Sequence, residues 1–98
     1  MAKHKKIYRQ GDLVLVEEDK VDLSLAVKEG DEFKVESENG NQHIIKAPVY
    51  RLHNEQYIVV DKPSKLIHQQ HPELIIDPGI YRIEFVRDYA LNREKAID

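Results

Sequence analysis

The chain contains no cysteine. Disulfides, thiolate nucleophiles and cysteine-ligated zinc or iron–sulfur sites are thereby excluded, and a transition-metal site would have to be built from histidine with aspartate or glutamate. No apolar run approaches the roughly 18 residues that a membrane-spanning helix needs. The N-terminal "MAKHKKIYRQ" is charged and lacks an apolar core, so it does not read as a secretory signal. Glycine is sparse as well. Gly11, Gly30, Gly40 and Gly79 are scattered turn residues, and none belongs to a phosphate-cradling loop. Ser24, Ser37 and Ser64 lie in no G-x-S-x-G setting, and there is no H-E-x-x-H. The expectation is a soluble, cytoplasmic protein with no membrane partner.

What is present suits one globular domain over 1–98, with a basic arm at 1–6 and a C-terminal tail at 88–98. Hydrophobic residues make up 41% of the 98 and charged residues 34%, enough for a core beneath a heavily charged surface. The net charge of −3 argues against a dedicated nucleic-acid binder, which usually carries a basic face. Lys3, Lys5, Lys6 and Arg9, with His4 among them, form a local exception suited to phosphate, although a short charged terminus is more often a solvated tail. The acidic runs Glu17-Glu18-Asp19 and Asp31-Glu32 read as solvated faces.

Short β-branched runs separated by turn signals predict a mostly-β fold, a small barrel or two-sheet sandwich of about six or seven strands. "DLVLVEE" (12–18) reads as a buried strand. "DLSLAVKEGD" alternates at Val21, Leu23, Leu25 and Val27 and reads as extended. In "EFKVESENGNQHIIKA" an Asn39-Gly40 type I′ turn would pair Glu36 with His43 and Val35 with Ile44. In "VYRLHNEQYIVVD" an Asn54-Glu55 loop would pair Tyr50 with Val59 and Leu52 with Tyr57. After "KLI", Pro78-Gly79 predicts a type II turn leading into "IYRIEFV", a half-buried strand with Tyr81, Ile83 and Phe85 on one face. "ALNREKAI" (90–97) has the composition of a short helix docked through Leu91 and Ile97, with fraying as the alternative.

Histidine carries the remaining chemical signal, since imidazole is the commonest metal ligand and titrates near neutrality. On a flat strand His68 and His71 would point to opposite faces. They converge only if the chain bends at Gln69-Gln70. With that bend, and with both hairpin ends together, His43, His68 and His71 would form a three-histidine metal site with Glu36 behind it, and Glu73 or Asp77 offering an oxygen ligand. The competing reading makes all three exposed polar residues. His4 and His53 read as surface residues. Tyr8, Tyr50, Tyr57, Tyr81 and Tyr89 would either stack nucleic-acid bases or, more in keeping with a small β domain, pack the core.

From Gly40 onward the chain resembles a small bacterial and phage family of no established activity. Its pattern is Gly-His-x-His after a hairpin turn, then Leu-x-His-x-Glu-His, Leu-Pro-Pro-Gly-x-Tyr-Arg-Val and a closing Gln-Arg-Glu-Tyr. The matching stretches are "GNQHII", "KLIHQQHPELIIDPGIYRI" and "VRDYALNREKAID", with "QGDLVLV" in the first half. Asn41 stands at the family's first histidine and Gln70 at its glutamate, while Val86 and Asp88 replace Gln and Glu beside Arg87 and Tyr89. The resemblance implies a common fold. If the family's histidines bind metal, two ligands are missing here; His43, His68 and His71 are left, enough to hold zinc with an open position, while the double loss equally fits a member that binds no metal.

The reading that follows is a binding or accessory module that self-associates or docks a protein partner through its sheet edges, with no cofactor. The alternative is a metal-dependent enzyme, most simply a hydrolase whose three histidines hold a divalent metal such as zinc and an activated water. A weaker one is a nucleic-acid accessory protein using the basic arm and the tyrosines.

Overall fold

A computed structural model describes residues 6–18, 20–36 and 40–85. Among these residues ten strands lie in two antiparallel sheets. One sheet holds β1 (Ile7–Gln10), β2 (Leu13–Glu17), β3 (Val27–Gly30), β6 (Val49–Leu52), β7 (Glu55–Val60) and β10 (Gly79–Phe85), in the order β1-β2-β10-β7-β6-β3. The other holds β4 (Phe33–Glu36), β5 (Gln42–Ile45), β8 (Ser64–His68) and β9 (His71–Ile76), in the order β4-β5-β8-β9. The mostly-β, two-sheet expectation is borne out. Neither sheet closes into a barrel, and the estimate of six or seven strands was too low. The helix expected at 90–97, Tyr89 and residues 1–5 of the basic arm lie outside the described residues. Among those described, no helix is long and apolar enough to cross a membrane.

Alternation along each strand builds the core. Leu13 and Leu15 of β2, Tyr81 and Ile83 of β10, and Ile58 and Val60 of β7 point inward from the larger sheet. Phe33, Ile45, Leu66 and Ile76 meet them from the smaller one. Tyr57 and Tyr81 are buried, and Tyr8 packs edge-on against Tyr81 with ring centroids 5.7 Å apart. The Tyr81 hydroxyl donates to the Asp77 carbonyl at 2.6 Å, and burial pushes its pKa well up. These tyrosines form core rather than a stacking platform.

Four local expectations are corrected. In the β4–β5 hairpin Val35 pairs with His43 and Glu36 with Gln42, one residue away from the expected register. A one-residue slip exchanges faces. The observed register lets Phe33, Val35, His43 and Ile45 turn toward the core while Glu36 stays exposed. In the β6–β7 hairpin the loop is His53-Asn54, so Tyr50 faces Tyr57 and Leu52 faces Glu55. Both loop residues have positive φ, 51° and 68°, as a type I′ turn requires, and Asn and His tolerate this better than Glu. Gly79 has φ +156°, far from the +80° or so of a type II turn. It opens β10 at the corner where the chain crosses from one sheet to the other. Finally, Leu23–Leu25 is a turn of 3-10 helix, begun by the Asp22 carboxylate accepting the Ser24 N–H at 2.9 Å. Leu25 is exposed, and the extended reading holds only from Val27, also exposed, which opens β3.

The His53-Asn54 assignment is testable. Asn54→Val should cost about 1–2 kcal/mol in urea denaturation, the usual penalty for a bulky residue in the left-handed region. His53→Asn/Asn54→Gly should be neutral or stabilising.

Candidate functional site

At one end of the sandwich the three expected histidines come together. Gln69 and Gln70 form a two-residue turn, so His68 and His71 become directly opposed partners of β8 and β9. Opposed residues share a face, and this resolves the opposite-face problem of a flat strand. The pairing shifts between Leu66↔Leu74 and His68↔His71, so β9 carries an extra residue, a bulge at Pro72-Glu73. Proline suits that position because it has no N–H to contribute to a ladder. The bulge lets His71 and Leu74 lie on the same side. The Gln42 N–H donates to Gln69 Oε1 at 3.1 Å and ties this turn to the start of β5. His43 on β5 thereby comes to lie beside His68. The ring centroids are 4.4 Å apart for His43 and His68 and 4.6 Å for His68 and His71, with tilts of 43° and 48°.

Three residues not foreseen as functional complete the cluster: Gln10 at the end of β1, and Gly11 and Asp12 in the turn to β2. Gln10 is buried. Its Nε2 donates to the Leu66 carbonyl at 2.9 Å and to the Pro72 carbonyl at 3.0 Å. Two carbonyl partners fix the orientation of the amide, leaving Oε1 to face His43 Nδ1 at 3.0 Å. Nδ1 must therefore donate. His43 Nε2 faces Asp12 Oδ1 at 2.8 Å, and a proton must lie between them as well. The buried pair thus holds an imidazolium against a carboxylate, or its neutral tautomer with the proton on Asp12. Either way it carries no net charge.

His68 differs. Its Nδ1 accepts the Gln70 N–H at 3.0 Å, so that nitrogen carries no proton. Burial holds its pKa below the usual histidine value, and the neighbouring His43 and His71 rings push the same way while Asp12 opposes them. Gly11, with φ +60°, sits against the stack. A Cβ there would come within 2.6 Å of His71 Nε2. No larger residue fits without moving that ring.

As a metal centre the arrangement is incomplete. Both ring nitrogens of His43 are engaged by protein, and among the described residues no three His, Asp or Glu side chains are set to hold a metal ion. Glu36 lies opposite Gln42 rather than behind His43. Glu73 pairs with Lys65 at 3.8 Å and Asp77 with Lys6 at 3.3 Å. His53 serves the β6–β7 turn through its backbone, and His4 lies outside the described residues. The signal for the missed residues was slight: a Gly-Asp pair just before the apolar run Leu13–Val16. Nothing local marks Gln10 as buried, because its partners lie 33 to 62 residues away.

Two measurements probe the cluster. Gln10→Leu should destabilise by about 3 kcal/mol, since it orphans two carbonyls and a ring N–H in a buried setting. For His68 the sign follows from its depressed pKa. The folded state binds the proton less readily than the unfolded one, so its contribution is complete above the ordinary value of 6.5 and is lost as pH falls through the folded value. Denaturation midpoints should fall as pH drops below about 6.5. His68→Asn, whose Oδ1 can accept the Gln70 N–H, should flatten that limb.

Comparison with curated proteins and with solved structures returns no match. One family model matches, over residues 9–85, a span that takes in Gln10, Gly11, Asp12 and all three stacked histidines. The chain belongs to the family described as Domain of unknown function (DUF8820).

Proposed function

We propose that this domain is a binding module that takes a protein partner on the outer face of its four-stranded sheet. The observation that carries the reading is the parity of that sheet. Its inner residues are core or belong to the histidine cluster, yet its outer face is not uniformly polar. Ile67 is 47% exposed and Ile75 is 50% exposed. Ile44, paired with Ile67 across β5 and β8, joins them. Exposed Ile67 and Ile75 on neighbouring strands, with half-buried Ile44 beside them, are an unfavourable arrangement in water and a usual feature of contact surfaces. Among the described residues β4 and β9 are the end strands of this sheet, and β4 in particular extends the available surface.

On this reading the histidine cluster is architectural. It clamps the β1–β2 turn to β5, β8 and β9 and so fixes the strands that present the isoleucines. The test is site-specific photocrosslinking in cells, with the crosslinking residue at position 67 or 75 and controls at Lys20 and Glu55. Discrete protein adducts at 67 and 75, lost when Ile44→Asp is added, are expected. Equal labelling at the control positions, or no adduct at all, would overturn the reading.

One observation favours a second reading, the metal-dependent enzyme: the rings of His43, His68 and His71 do stack within contact distance. Chelation would need His43 to turn away from Asp12 or Gln10, after which a divalent metal such as zinc could hold an activated water. Elemental analysis of untagged protein after zinc loading separates the two readings. Stoichiometric metal that disappears in His68→Ala/His71→Ala supports the enzyme, and metal-free protein removes it.

A further inference from the structure

We propose that the groove over Ile44 and Ile67 is a docking site for an acidic, apolar segment of a partner protein, in which an apolar side chain stands between two carboxylates. The inference rests on the reading that this sheet face binds a partner, and it adds the partner's chemistry. The groove measures about 370 Å³ and is lined by Ile44, Ile67, Ser64 and three lysines, Lys46, Lys62 and Lys65. Lys34 stands directly opposite Ile44 on β4 and continues the basic rim.

Charge decides the occupant. The whole chain carries −3, so a cluster of ammonium groups around one apolar floor runs against the molecule's overall sign. Like charges gathered on one sheet face repel each other, and a carboxylate ligand relieves that repulsion. The contact between Lys65 and Glu73 is long, 3.8 Å, with both side chains half exposed. Such a surface pair contributes little and is readily exchanged for a partner's carboxylate.

The floor decides between macromolecules. Lysines alone would serve a phosphate backbone equally well. Single-stranded nucleic acid, however, is held by aromatic platforms on which bases stack, and this floor is isoleucine. A leucine or valine side chain from a peptide suits it, with flanking carboxylates reaching the rim. Electrostatic complementarity of this kind speeds encounter and fixes register, while the buried apolar contact slows dissociation.

The probe is a fluorescent Glu-Leu-Glu-Leu-Glu peptide, capped at both ends, titrated by anisotropy beside a Ser-Leu-Ser-Leu-Ser control and oligothymidylate. The acidic peptide should bind and should weaken about tenfold when salt is raised from about 50 to about 300 mM. Lys46→Glu/Lys65→Glu, both surface changes, should abolish binding, and Ile67→Asp should weaken it with the circular dichroism of the fold unchanged. Equal binding of the serine peptide would overturn the acidic assignment while leaving the contact face standing. Preferential, lysine-dependent binding of oligothymidylate would replace it with nucleic acid. Failure of every probe while position 67 still crosslinks would mean a partner of other chemistry. Failure of both experiments would remove the surface altogether.

Discussion

The buried amide of Gln10 is the constraint from which the rest of this end of the molecule follows. A carboxamide in the core must satisfy two donors and an acceptor or incur the full cost of desolvation. Here the donors go to carbonyls of β8 and β9 and the acceptor to a ring nitrogen on β5. One side chain from the six-stranded sheet therefore contacts three of the four strands opposite. That contact dictates the protonation of His43 Nδ1. With Nδ1 committed, the other nitrogen meets Asp12, and the β1–β2 turn is held down at two points. No buried side-chain polar atom among the described residues lacks a partner, so the network is complete.

The same sheet then carries two kinds of surface on its two sides. Facing inward, β5 and β8 present Ile45 and Leu66 to the core and His43 and His68 to the cluster. Facing outward, the alternate residues Ile44 and Ile67 meet solvent beneath a rim of lysines. The strict period of two makes this separation sharp, since a residue cannot serve both sides. If the proposed partner docks on the outer face, the hydrogen bonds on the inner side favour it, because a pre-ordered sheet loses little conformational freedom on binding. The contacts of Gln10, Asp12 and His43 thus order the inner side of the same sheet whose outer face carries these isoleucines.

Much of the fold was legible in the sequence. Runs such as "DLVLVEE" and "IYRIEFV" alternate with a period that no helix tolerates, and they became β2 and β10 almost as expected. Turns were read less well. The β6–β7 loop moved by one residue because two adjacent positive φ values are easier for His53 and Asn54 than for a pair containing Glu55. The β4–β5 register moved because burying His43 beside Val35 was decided by partners far along the chain. Of the site, the meeting of the three histidines was legible only on the condition of a bend at Gln69-Gln70, beside the competing reading of exposed polar residues. Gln10, Gly11 and Asp12 were not, since a glutamine at a strand end looks like any solvated residue.

By itself the sequence determined the class of the fold, the absence of thiol chemistry, and the few positions at which imidazoles might meet. Those properties follow from local pattern and composition, which act over a few residues. Only the tertiary structure decided that His43 has no nitrogen to spare, that Glu36 stands away from it, and that isoleucines and lysines gather on one outer face. Each of these depends on which strands are neighbours and in what register. Register is set by the summed burial of whole faces and by hydrogen bonds across tens of residues, which no single segment encodes.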